Sequence, residues 1–294
     1  MKKIIFLAFL ASMTNLTSQS SIDCNSNLSI FAEYYKVKNY EAAYEPWMSV
    51  RKECPKINPA IYFQGSRMLD EFIKKSEGES KSAYQMDLLK LYDEWLINFP
   101  AYNGRSIVGQ IMSNKAQKMI DYKLASKSEI FTLFEDAYQT DPLSFDDPKP
   151  LYSYFKTYFE LYKDGENDIT LSQIFNKYEE LSERYNSIID DYSKQIDIII
   201  NKENSGIALT SREKRNKRVY EINSNASNIY LRNLNAIIAK ESTCENLIPL
   251  YRKNLEENKT NPVWLNRAAS RMDSKECSDD PLFVVLVELL HNLN

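Results

Sequence analysis

Hydrophobic residues recur at intervals of three and four along most of the chain, the period of helices that bury one face. Leu28, Phe31, Tyr34 and Tyr35 keep this rhythm, Lys38-Asn39 interrupts it, and Tyr40, Ala43, Trp47 and Val50 resume it as far as Cys54-Pro55. Two short amphipathic helices are therefore predicted between Asn25 and Cys54. Helix-start chemistry repeats further on. Asn58-Pro59, Asn261-Pro262 and Asp280-Pro281 each place a capping acceptor before a proline at the first helical position. Ser126 with Glu129 and Thr210 with Glu213 read as capping boxes.

Between residues 169 and 240 the pattern tightens. Leu171, Ile174, Tyr178, Leu181, Tyr185, Ile188 and Tyr192 alternate steps of three and four, as in a coiled-coil seam. After a break at Asn204-Ser205-Gly206, Val219, Ile222, Ala226 and Ile229 continue it. Two helices of roughly 30 residues, each ~45 Å long, would pack antiparallel and could project from the rest. The final helix, from Pro281, carries Val284, Val285, Leu286, Val287, Leu289 and Leu290 around most of its circumference. A single neighbour covers only one stripe, so this helix is expected to expose apolar side chains and to serve for self-association or docking.

The start of the chain has another character. Met1-Lys2-Lys3 precedes an apolar run from Ile4 to Ala11 and a polar stretch ending Thr17-Ser18-Gln19-Ser20, the layout of a cleavable export signal. Cleavage is expected after Ser18 or Ser20. The apolar run is about eight residues against the roughly 20 of a membrane span, so no transmembrane anchor is expected after signal removal. Cys24 lies too far downstream to be a lipid-modified cysteine. The reading is thus of an exported protein, periplasmic or secreted, with a peripheral place at the outer membrane as a variant. Abundant Lys, Asn, Ile and Tyr suit an AT-rich bacterial source.

Cys24, Cys54, Cys244 and Cys277 form an even set in an exported chain, which points to disulfides. Cys24 precedes the first predicted helix and Cys54 ends the second, so an antiparallel hairpin brings them together. Cys244 and Cys277 bracket a similar pair of helices, and the mixed connectivity is the alternative. Only 6 glycines occur in 294 residues, about 2% against a usual ~7%. Such scarcity, with no run of alternating Val, Ile and Thr, favours an all-α fold.

Tyr34, Tyr40, Ala43, Trp47, Val50 and Pro55 fall at spacings that resemble the tetratricopeptide repeat, whose helical hairpins recur every ~34 residues. Gly65 sits at the small-residue position of a following unit. Leu91-Tyr92 through Phe99-Pro100, and Phe134-Glu135-Asp136-Ala137-Tyr138 with Asp141-Pro142, resemble the closing halves of further units. The closing prolines Pro55, Pro100 and Pro142 are spaced more widely than the family period, and Ser76-Glu77-Gly78-Glu79-Ser80 reads as a looser joint. The resemblance implies a tetratricopeptide-like helical-hairpin superhelix, here with the long antiparallel hairpin added. The domain reading is a signal peptide over 1–20, repeats over 21–168, the hairpin over 169–240 and a disulfide-clipped C-terminal repeat over 241–294. The segment from Cys277 to Phe283 is similar to one followed by more repeats in longer bacterial sequences, which implies a shortened member. The resemblance also implies a concave groove lined by the first helix of each unit, placing Asn25, Ala32, Tyr35, Tyr62 and Ser66 against a protein or peptide partner.

Candidate chemistry changes this picture little. His291 is the one histidine, too few for a multi-histidine metal site or a conventional triad. No Gly-rich phosphate loop occurs, and no cofactor or catalytic residue is assigned. Asp146-Asp147, Asp190-Asp191 and Asp279-Asp280 lack the interleaved grammar of calcium loops and read as caps or solvated faces. The run from Arg212 to Arg218 reads as a solvated helix start or as a contact for an anionic partner. Tyr154, Tyr158 and Tyr162 share one helix face and read as packing. A net charge of −4 argues against nucleic-acid binding. The expected function is a protein-binding scaffold rather than an enzyme, with a structural part in an envelope assembly as the alternative and carboxylate catalysis behind it.

Overall fold

The computed structural model describes residues 23–293, so the expected export signal lies outside the described residues. The described chain is all-α, with twelve helices and one two-residue β-hairpin. Among the described residues no helix is long and apolar enough to cross a membrane. The chain divides between Tyr84 and Gln85 into two compact units, described separately below.

The first unit holds α1 (Cys24–Lys36), α2 (Tyr40–Glu53), α3 (Ala60–Lys75) and the first turns of α4 (Gly78–Asn98). Asp23 caps α1 through its side chain and Asn39 caps α2, while Lys38 takes the left-handed conformation that turns one into the other. Phe31, Ala43, Trp47, Val50, Ile61, Met68 and Leu69 form the buried centre. Cys24 and Cys54 stand at the facing ends of α1 and α2 with Cα atoms 6.3 Å apart, as a disulfide. The expected joint over Ser76–Ser80 is shorter than its composition suggests. Only Ser76 and Glu77 separate α3 from α4, and Gly78 opens α4 at φ +55°.

In the second unit α4 runs to a hairpin of β1 (Ala101–Tyr102) and β2 (Arg105–Ser106), turned by Asn103-Gly104, both at positive φ. Then follow α5 (Val108–Tyr122), α6 (Lys127–Thr140), α7 (Pro148–Asp164), α8 (Leu171–Asn204), α9 (Ser211–Ala239), α10 (Cys244–Asn258), α11 (Pro262–Ser274) and α12 (Pro281–Leu293). Both expected capping boxes form, and Thr170 with Gln173 makes a third at the start of α8. α5 packs on α6 as a hairpin, and α7 lies against both and against α8 and α9. Tyr154, Tyr158, Phe155, Phe134 and Phe145 fill the space between them.

α8 and α9 run antiparallel: Tyr178 donates to Asn235 at 2.9 Å near the base, and Lys217 meets Glu203 at 2.7 Å near the tip. Ile174, Leu181, Tyr185 and Ile188 are buried along α8 as the seam predicted. On α9 the expected seam faces outward. Val219, Ile222 and Ile229 are exposed, and α9 packs instead through Tyr220, Asn223, Ser227, Leu234 and Ile238. Cys244 and Cys277 clip α10 to the end of α11 with Cα atoms 5.4 Å apart. On α12 only Leu282 and Leu286 are buried; Val284, Val285 and Val287 face water.

Candidate partner-binding site

The residues expected to line a groove in the first unit do not share one open surface. Asn25 and Ala32 are exposed on α1 and Tyr35 is half-buried. Tyr62 is fully buried and donates its hydroxyl to the Pro55 carbonyl at 2.9 Å, and Ser66 is buried with its hydroxyl on the Phe63 carbonyl. The small residue at position 66 and the tyrosine at 62 belong to the packing of α3.

A better-formed concavity, of about 420 Å³, lies in the second unit between α5, α6, α7 and α9. Two polar rows build its floor. On α7, Asp147-Pro148 starts the helix, and Leu151, Tyr154, Phe155, Tyr158 and Leu161 point into the core. Lys149, Tyr152, Ser153, Lys156, Thr157 and Glu160 follow at helical spacing on the adjoining face. On α5, Gln117, Ile120 and Asp121 stand on one face in the same way. Gln117, Ser153 and Thr157 are all buried despite being polar. Gln117 donates through Nε2 to Asp121 at 2.9 Å, which leaves its buried Oε1 with no hydrogen-bond partner among the described residues. A buried acceptor in that condition costs free energy until a donor reaches it.

The rim is cationic. Lys123, Lys127, Lys149 and Lys156 surround the opening against Asp121, Glu160 and Asp164, an excess of one positive charge on an acidic chain, and Lys156 lies 3.7 Å from Glu160. Lys149 lies 2.8 Å from Asp121 and Lys127 lies 2.5 Å from Asp164. The Asp164 hydrogen bond raises the Lys127 ammonium above its usual range. Tyr152 and Tyr230 close one side with ring centroids 5.5 Å apart. Chemically, the site offers an acceptor for an N–H, aromatic faces, and ammonium groups for carboxylates. The sequence held one sign of it. Ser153 and Thr157 are small polar residues four apart on the face beside the Tyr154–Tyr158 stripe, a placement that plain core packing does not require.

Two other polar groups are internally satisfied. Glu135 accepts the hydroxyl of Tyr154 and an N–H of Gln139 at 2.8 Å, with Lys177 at 3.5 Å. Burial pushes its carboxyl up, but those bonds outweigh it and hold the group below the carboxylate range. Lys177 also reaches Glu180 at 2.9 Å and lies over the rings of Tyr138 and Tyr154. This network ties α6, α7 and α8 together. A wider concavity of about 870 Å³ opens beside the β-hairpin. Its Asp141 accepts the hydroxyls of Ser106 and Ser144 and so fixes the hairpin to the end of α6.

Of the carboxylate pairs, Asp190-Asp191 is exposed on α8 and Asp279-Asp280 stands before α12, where Asp280 caps Leu282. Asp146 departs from the expected solvated role. It sits against Asp147 and Arg184, and burial with the neighbouring carboxylate pushes it up to about 6. His291 is exposed on α12. No protein-family model matches the chain, and no curated protein or solved structure matches it either.

Proposed function

We propose that the chain is an exported helical-repeat scaffold that binds a segment of another protein in the concavity between α5, α6, α7 and α9. The buried, unpartnered Gln117 acceptor beneath a lysine-lined rim is the observation that carries this reading. A peptide backbone supplies the N–H that Oε1 lacks, and acidic side chains suit the rim. Consecutive helical hairpins support a tetratricopeptide-like superhelix, with α5 and α7 as the groove-lining first helices. Two cysteine pairs at bonding distance support an oxidising location, in the bacterial envelope or outside the cell. A second reading, a structural part of an envelope assembly, draws on the exposed valines of α12.

Selection of displayed peptides on the purified protein tests the first reading. The selected peptides should converge on one pattern and lose about tenfold or more in affinity when Lys149 and Lys156 are both changed to Glu. Failure to converge, or binding indifferent to that reversal, would count against it.

A further inference from the structure

α9 carries two apolar stripes. One packs inward: the Tyr220 ring lies 5.9 Å from that of Tyr192, and Ser227, Leu234 and Ile238 are buried. The other, about a third of a turn away, consists of Val219, Ile222, Ala226 and Ile229. Val219 is 44% exposed, Ile222 56% and Ile229 40%. Steps of three, four and three are those of a coiled-coil seam, and no helix among the described residues covers it.

The flanks of the stripe are cationic. Arg215 and Arg218 extend it toward the start of α9, with Arg212, Lys214 and Arg232 along its edges. None of these five pairs with a carboxylate among the described residues. The neighbouring acids are otherwise engaged, Glu213 with Lys202 at 2.5 Å and Glu203 with Lys217 at 2.7 Å. Glu221 is the one other acid on α9. Cations in the first turns of a helix oppose its dipole, so this charge does not serve α9 itself.

We propose that this stripe docks an acidic amphipathic helix of another protein. The proposal is separate from the lysine-rimmed concavity. Three observations choose the occupant. The apolar stripe is narrow, the width of a helix-helix seam, whereas a helix lying on a membrane presents a broad apolar arc with aromatic anchors. A second copy would bring both sets of cations together with only Glu221 to offset them. The stripe spans about 15 Å from Val219 to Ile229, too short to associate on apolar contact alone, so charge complementarity must contribute.

The test uses fluorescence anisotropy with synthetic three-heptad peptides on the intact protein. One peptide carries Leu at the seam positions and Glu at the flanks; its counterpart carries Lys at the flanks. The acidic peptide should bind, weaken as salt is raised, and lose about tenfold or more in an Ile222→Asn, Ile229→Asn variant. Both positions are exposed, and circular dichroism checks that the variant stays folded. Arg215→Glu with Arg218→Glu should shift the preference to the Lys peptide. Equal binding of both peptides, binding of neither, sedimentation with phosphatidylglycerol vesicles, or a dimer of the protein alone would each overturn the proposal.

Discussion

Gly65 shows how much one missing methyl group can decide. A Cβ built there would stand 2.6 Å from Cζ2 and Nε1 of Trp47. The buried indole packs against α3 at this point and donates Nε1 to the Ile61 carbonyl at 2.8 Å. Because that donor belongs to a packed ring rather than a flexible chain, an alanine has nowhere to push it. Gly65→Ala should cost about 1–3 kcal/mol, seen as a lowered melting temperature with a red-shifted tryptophan emission. An unchanged melting temperature would mean that Trp47 can repack.

Asp146 makes a prediction about pH. Its carboxyl is raised from 3.8 to about 6 in the folded chain by burial first and Asp147 second. Between those values the unfolded chain has lost the proton while the folded chain still holds it. Stability therefore falls as pH rises from about 4 to about 6, by roughly 2–3 kcal/mol. Asp146→Asn should raise the melting temperature near pH ~7 and make little difference near pH ~4. A gain of the same size at both pH values would contradict this sign.

The helices were readable from the sequence because their signals are local. Capping boxes at Ser126 and Thr210, the asparagine and aspartate caps, and three-four periodicity each act within a few residues. The second face of α9 was not. Two stripes compete on that helix, and the one with Val and Ile looked like the seam, yet the buried side is made by Tyr220, Ser227 and Leu234. The choice depends on what α7 and α8 present, which periodicity does not record. Two of the five groove positions depend on packing in the same way: Tyr62 and Ser66 follow the repeat spacing, but α3 turns them inward.

Both disulfides close helical hairpins, over 30 and 33 residues, and each should contribute about 3–4 kcal/mol through the unfolded chain. Non-reducing digestion and mass spectrometry should recover Cys24–Cys54 and Cys244–Cys277, and reduction should lower the melting temperature. Recovery of mixed pairs would contradict the hairpins themselves. For α12, Val284→Lys with Val287→Lys should reduce any self-association measured by light scattering. If the unmodified protein is monomeric and the variant behaves identically, those valines need no cover.

Taken together, the features form a set of surfaces on a helical frame: a lysine-rimmed concavity, a cationic apolar stripe on α9 and an uncovered face on α12. The all-α class and both cysteine pairs were visible in the sequence. The concavity was not, because Gln117 and Ser153 are 36 positions apart in the numbering and meet only once α5 and α7 pack. The most direct measurement is quantitative capture from an exported-protein fraction, comparing the native chain with the Lys149→Glu, Lys156→Glu variant. The account predicts a partner recovered in near-equal amount by the native chain and lost with the variant, while the variant's circular dichroism and melting temperature stay close to native. Recovery of the same proteins by both chains would contradict it.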